Sequence, residues 1–275
     1  MRIRRTLGTI AASAGLLAAS LAGAPPAAAA VTCDYNDTVG LLFVEMTGDG
    51  LATLSRDGET ILVNGLTCSD GGTDATVTNV EIVSFGGDDG SQRVRIDLSG
   101  GRFAPGRTDE LGGSDEIEMF TELTGGTDRV DVLGRDGRDA FVLGTDGPAT
   151  RINLNAREDD TVDYDLSLDP DDVERLVIRG RGGADLLSAA GSDQTGDVLA
   201  RPVTLYGGDG RDVLSGGAAS DVLNDRGDPG DVDLLQGRGG ADRLLSRDGD
   251  RRDRSYGGPG IDVCVADPGE LTRSC

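Results

Sequence analysis

Short apolar runs recur along this chain at near-constant spacing, each bracketed by glycine and aspartate. In the C-terminal third they read VLS (213–215), VLN (222–224), LLQ (234–236), RLL (243–245), RSY (254–256) and VCV (263–265). Three-residue strands do not persist alone, but stacked layer upon layer they build sheets. The middle residues Leu214, Leu223, Leu235 and Leu244, with Leu187 upstream, point inward and predict a leucine spine between two parallel sheets. Longer runs (IEMF, VDVL, AFVL, RINL, VDYD, RLVI) recur every 10 to 13 residues between 117 and 178 and read as the same architecture with eroded loops. Earlier still, Leu41–Met46, Leu51–Leu54 and Ile61–Val63 alternate or run apolar, with turns at Gly48-Asp49-Gly50 and Arg56-Asp57-Gly58. The expectation is all-β: a parallel β-roll or β-solenoid of about 20–21 residues per turn, preceded by an N-terminal β-hairpin cap.

Aspartate keeps the same beat as the apolar runs. Asp212, Asp233 and Asp253 form one ladder and Asp221, Asp242 and Asp262 another, each stepping by 21 and then 20 residues, offset by 9. Every one closes a loop and opens a strand. Neighbouring strands lie about 4.8 Å apart, so stacked loops bring successive carboxylates to about 5 Å. At an effective dielectric of 20, two such charges repel by roughly 3 kcal/mol. A few contacts of that size would outweigh the net stability of an ordinary fold. Something positive is needed between them. Calcium binds oxygen at about 2.4 Å and can reach two loops at once, taking carboxylates and carbonyls; magnesium prefers a tighter, wetter octahedron, and zinc prefers His or Cys. Arg138, Arg211 and Arg252, just before ladder aspartates, offer a competing means of neutralisation without metal. The spacing extends upstream through Asp115, Asp128, Asp139 and Asp160, where Asp139 to Asp160 is again 21.

Composition narrows the reading. The chain carries 49 acids against 26 cations, all of them arginine, for a formal net charge of −23, and it has no histidine. Of the acids, 39 are Asp, a turn former and poor helix former, and 44 glycines point the same way. A phosphate backbone would be repelled, so nucleic acid is not expected as a partner; inorganic cations suit the charge. The bland alternative of disorder fits the acidity, but disordered tracts have no reason to hold apolar residues in register with glycine–aspartate clusters. The first thirty residues have the form of a signal peptide: Arg2, Arg4 and Arg5, an Ala/Leu-rich stretch, then Ala27–Ala30 as a small-residue cleavage site before Val31. The expectation is a secreted protein with no membrane span. Four cysteines (Cys33, Cys68, Cys264 and Cys275) then call for pairing. Three pairings are open in principle; Cys33–Cys68 with Cys264–Cys275 is favoured because about 200 residues separate the two local pairs.

The loops read GGDGRDVLS from Gly207, GGAASDVLN from Gly216, GRGGADRLL from Gly237, GGPGIDVCV from Gly257, GRGGADLLS from Gly180 and GRDGRDAFV from Gly134. These nonapeptides resemble RTX (hemolysin-type) calcium-binding repeats, G-G-x-G-x-D-x-U-x with U apolar. The resemblance covers 112–265 loosely and 180–265 well. It implies calcium binding coupled to folding outside the cell, with metal ligands at Asp185, Asp209, Asp212, Asp221, Asp233, Asp242, Asp253 and Asp262, and less firmly at Asp128, Asp139 and Asp160. Ala219 at a glycine position and the glycine-poor DGDRRD before Arg254 depart from the motif, which makes Asp221–Asp242–Asp262 the stronger column and leaves Asp233 and Asp253 in damaged loops. The layout that follows is a signal peptide (1–30), a cysteine-tied β cap (31–98), degenerate turns (99–179), calcium-binding repeats (180–265) and a cysteine-closed tail (266–275), like small secreted calcium-binding proteins of high-GC bacteria. RTX repeats usually accompany an enzyme or toxin domain, and none is visible: there is no H-E-x-x-H, no His-based triad and no G-x-S-x-G. Two other readings stand beside this one. A calcium-stiffened adhesive protein could bind a cell-wall or polysaccharide partner. A polysaccharide-acting enzyme could use Tyr164 with Asp163, Asp165 and Arg179, against a 3% aromatic content that offers little sugar platform.

Overall fold

The structure, a computed structural model, describes residues 29–107, 116–156, 164–169, 171–225, 227 and 229–275. Its described residues are all β, without a helix, and therefore include no helix long and apolar enough to cross a membrane. They form one sheet of twelve strands, one of ten, and a small two-stranded ribbon.

From Arg175 onward the chain alternates strictly between the two large sheets. Arg175–Gly182, Val203–Asp209, Val222–Asn224, Arg243–Leu245 and Val263–Val265 pair in parallel in the ten-stranded sheet. Leu186–Ser188, Val213–Ser215, Leu234–Gln236, Arg254–Tyr256 and Leu271–Arg273 pair in parallel in the other. The registers put Leu187, Leu214 and Leu235 in one file and Leu205, Leu223 and Leu244 in a facing file, all fully buried in one core. The spine expected from the period of two is present.

The upstream strands join the same two sheets. Leu41–Thr47, Ile82–Gly86 and Glu118–Glu122 pair in parallel in the first, and Leu51–Asp57, Arg93–Asp97 and Arg129–Leu133 in the second. Hairpins decorate this end: Ala30–Asn36 folds back on Leu41–Thr47, and Thr60–Val63 on Leu51–Asp57. The core is wider here, with Leu42, Val44, Met46 and Phe85 buried together, and it narrows to a single leucine in Val213–Ser215, Val222–Asn224 and Leu234–Gln236. In Arg254–Tyr256 even the leucine is gone, and Ser255 takes the inward place opposite Leu235.

One stretch departs from the expected repetition. Ala140–Asp146, Ala149–Asn153 and Leu166–Leu168 form an antiparallel meander inserted into the larger sheet. In the other sheet Arg129 therefore pairs directly with Arg175. The segment is an enlarged turn with a folded-back hairpin, not further copies of the 20–21-residue unit. Both expected disulfides are present: Cys33–Cys68 ties the first strand to the segment after the hairpins, and Cys264–Cys275 ties the last strand of the smaller sheet to the chain end. Bridges of this kind persist in oxidising surroundings.

Candidate metal centre

The two aspartate ladders are columns running up the stack. In each, one carboxylate oxygen (Oδ1) accepts the backbone N–H of the aspartate one layer back. Asp212 N–H donates to Asp233 at 2.8 Å, and Asp233 N–H to Asp253 at 2.9 Å. Asp185 extends this column, donating its N–H to Asp212 at 2.7 Å, and Asp139 extends it again, donating to Asp185 at 2.7 Å. In the second column Asp221 donates to Asp242, and Asp242 to Asp262, each at 2.8 Å. Asp128 takes the Gln92 N–H at 2.6 Å and gives its own to Glu174 Oε2 at 2.6 Å. The ladder therefore has a backbone function of its own: it stitches each loop to the next.

That leaves the second oxygen. Oδ2 of Asp128, Asp185, Asp212, Asp242, Asp253 and Asp262 is buried without a hydrogen-bond partner. Its surroundings are oxygen. A Cβ placed on Gly216 would lie 2.6 Å from Asp221 Oδ2, which already accepts the Gly217 N–H at 2.6 Å, and 2.5 Å from the Gly237 carbonyl oxygen. Equivalent atoms on Gly180, Gly237 and Gly257 would strike Oδ2 of Asp185, Asp242 and Asp262 together with a carbonyl oxygen of the next layer. The first loop glycine thus keeps open a notch in which a carboxylate and a carbonyl face one another. Two acceptors cannot satisfy each other; a proton, a water donor or a cation is needed between them. Burial, opposed by the ladder N–H bonds and, at Asp221, by the Gly217 and Val203 N–H groups, pushes the carboxyls of Asp185, Asp221, Asp233 and Asp242 up to about 6, Asp253 to about 7 and Asp212 to about 8.

Arginine does not fill the notches. Among the described residues, Arg138, Arg211 and Arg252 form no ion pair, and Arg252 instead donates to the Gly230 carbonyl at 2.5 Å. The Asp139 loop is the exception, through a different residue: Arg135 Nε lies 2.7 Å from Asp139 Oδ1, and its backbone N–H donates to Oδ2 at 2.6 Å. Asp209 stands apart from both columns. Its side chain is exposed, and its carbonyl receives the Gly183 N–H at 2.8 Å. Asp115, Asp160 and Asp163 lie outside the described residues. Tyr164 packs under Arg151 and Arg179 over Tyr206, so neither ring contact joins Tyr164 to Arg179.

Two acidic positions escaped the sequence reading. Asp225 occupies the place that glycine holds in the neighbouring loops, is 1% exposed, and holds no hydrogen bond at either oxygen. Burial first, then the charges of Asp233 and Asp212, push it up to about 9. The second is Glu270 in the tail. Together with Asp248, Asp250 and Asp253 it offers carboxylate oxygens that all lie within 4.8 Å of one another. Among the described residues, this acidic group gathers at the glycine-poor loop before Arg254, not along Asp221–Asp242–Asp262. Compared with protein-family models, curated proteins and solved structures, the chain matches none.

Proposed function

We propose that this chain is a secreted calcium-binding β-roll whose Gly/Asp loops take Ca2+ between successive layers and couple its binding to folding. The observation that carries the reading is the set of notches at Asp185, Asp242 and Asp262, where a buried aspartate oxygen without a hydrogen-bond partner lies beside a carbonyl oxygen of the next layer. Calcium is the ion that such an all-oxygen, flexible loop environment suits. Asp185, Asp212, Asp221, Asp242 and Asp262 would supply the carboxylates and the first loop glycines the carbonyls. The strict alternation of strands between two parallel sheets supports a roll, and the loop sequences resemble RTX nonapeptides. The two disulfides and the signal-like first thirty residues support export.

The layers richest in these loops also bury the fewest apolar side chains, so they depend most on something besides the hydrophobic core. Circular dichroism and melting in EDTA and in calcium test this directly. Near-millimolar calcium, about the range of extracellular modules, is expected to raise β signal and melting temperature together. Identical spectra and melting points in EDTA and in about 10 mM calcium would remove the proposal.

A further inference from the structure

We infer that Asp248, Asp250, Asp253 and Glu270 form a separate divalent-cation site that fastens the C-terminal tail to the last layer. The inference shares its ion with the reading above but needs none of the glycine loops upstream.

Asp253 is 1% exposed; its Oδ1 is occupied by the Asp233 N–H, and Oδ2 is left buried and without a partner. Glu270 has the same division: Oε2 accepts from Ser246 Oγ and the Asp267 N–H, both at 3.0 Å, while buried Oε1 has no partner. The loop also fixes its two outer acids. Asp250 accepts the Gly230 N–H at 2.9 Å, and Asp248 accepts the Asp250 N–H at 2.9 Å. Four carboxylates are thus held in place by hydrogen bonds to other atoms, with ligand oxygens no more than 4.8 Å apart. Two ligands of one calcium can be separated by about that much, twice the usual 2.3–2.6 Å bond.

No counter-charge is engaged. The loop contains Arg247, Arg251 and Arg252, yet Arg247 donates to the Ala266 carbonyl, Arg252 donates to the Gly230 carbonyl, and none of the four acids has an ion pair among the described residues. All four donors are hard oxygens, which selects Ca2+ over transition metals.

The tail has little else to hold it. Leu271–Arg273 pairs with one strand, all three residues are exposed, and Leu271 is 39% exposed, so apolar burial contributes little. Cys264–Cys275 tethers its end without fixing its path. An ion bridging Asp253 in the loop and Glu270 in the tail would fasten that path where Leu271–Arg273 pairs with Arg254–Tyr256.

The test is hydrogen exchange by mass spectrometry on the full oxidised chain, with CaCl2 as the probe against EDTA. Two segments are followed: 246–275 and 207–242. Calcium is expected to slow exchange in 246–275. Glu270→Gln is expected to raise the calcium midpoint for that segment at least tenfold while leaving the midpoint of 207–242 unchanged. Asp248→Asn, on an outer ligand where folding is not at stake, is expected to act in the same direction. Protection of 246–275 without protection of 207–242 would remove the upstream reading and leave this site standing. Protection of 207–242 alone, or midpoints for 246–275 unmoved by both substitutions, would overturn the site.

Discussion

Glycine at the fourth loop position is set by the layer beneath it. Gly240 has φ +113°, and a Cβ there would run into the Ala219 carbonyl oxygen and lie 2.5 Å from the Ala219 carbonyl carbon. Gly249 has a similar φ of +108° with nothing within 4 Å. The pair separates two costs that glycine usually hides together. Gly249→Ala carries the dihedral penalty alone, about 1–2 kcal/mol. Gly240→Ala adds backbone overlap that no rotamer can relieve, so a loss of about 3 kcal/mol or more is expected. Thermal melts of both variants in calcium check this; equal shifts would mean that the layers do not stack as closely as the loop carbonyls indicate. At Arg181 and Arg238, with φ of 81° and 70°, the chain accepts the dihedral cost at the second loop position because the side chain there projects outward.

At the scale of strands and loops, the two halves of the stack neutralise their buried acids differently. Asp131 is fully buried yet accepts from Arg129 at 2.6 Å and from Arg93. Burial pushes it up, but the two arginines outweigh that and hold it below the usual carboxylate range. Asp139 has Arg135. Arg93–Asp97 and Arg129–Leu133 also bury two apolar residues each, against one each in Val213–Ser215, Val222–Asn224 and Leu234–Gln236. Removing calcium should therefore unfasten the stack from one end. In EDTA near neutral pH, amides in 82–98 and 129–133 are expected to stay protected while those in 213–265 exchange at least tenfold faster than in calcium. Uniform loss of protection would show the halves to be one cooperative unit. The same contrast explains what could be read from sequence. Leu214, Leu235 and the aspartates 20 or 21 apart were legible because one unit repeats without insertion. The meander was not: its strands alternate with the same period of two whether they pair in parallel or antiparallel, and the 21-residue interval from Asp139 to Asp160 imitates the repeat. Asp139 in fact meets Asp185, 46 residues away. The two-residue turn Gly147-Pro148, with Gly147 at φ +61°, was the available hairpin signal. Asp225 and Glu270 were missed for a related reason, since each stands where the repeat calls for a different residue.

Over the whole molecule, the proposed calcium sites would set calcium and protons in competition for the same notches, and that predicts how stability depends on pH. An unfolded aspartate has a pKa of about 3.9. The folded, metal-free carboxyls of Asp185, Asp221, Asp233 and Asp242 titrate near 6, Asp253 near 7, Asp212 near 8 and Asp225 near 9. Between these limits the folded state binds more protons than the unfolded one, so stability falls as pH rises. The contribution is fully present below the unfolded pKa and is lost progressively from about pH 4 upward, the loss being complete near pH 6 for the first four groups and near pH 9 for Asp225. Nearer pH 4 the trend is opposed by Asp131, whose lowered pKa makes its arginine pairing a contribution that acid removes. Metal-free protein should therefore be most stable in mildly acidic solution, the reverse of the usual acid lability of carboxylate-rich folds. Calcium binds the ionised form, so its effect should be small at pH 5 and large at pH 8. Melting temperatures across pH 5–9, in EDTA and in about 5 mM calcium, test the argument. The EDTA curve is expected to descend and the calcium curve to stay level, with the gap reaching about 10 °C by pH 8, or roughly 3 kcal/mol for a chain of this size. An EDTA curve that rises with pH would mean the buried oxygens already have a counter-charge, and the columns would then need no ion.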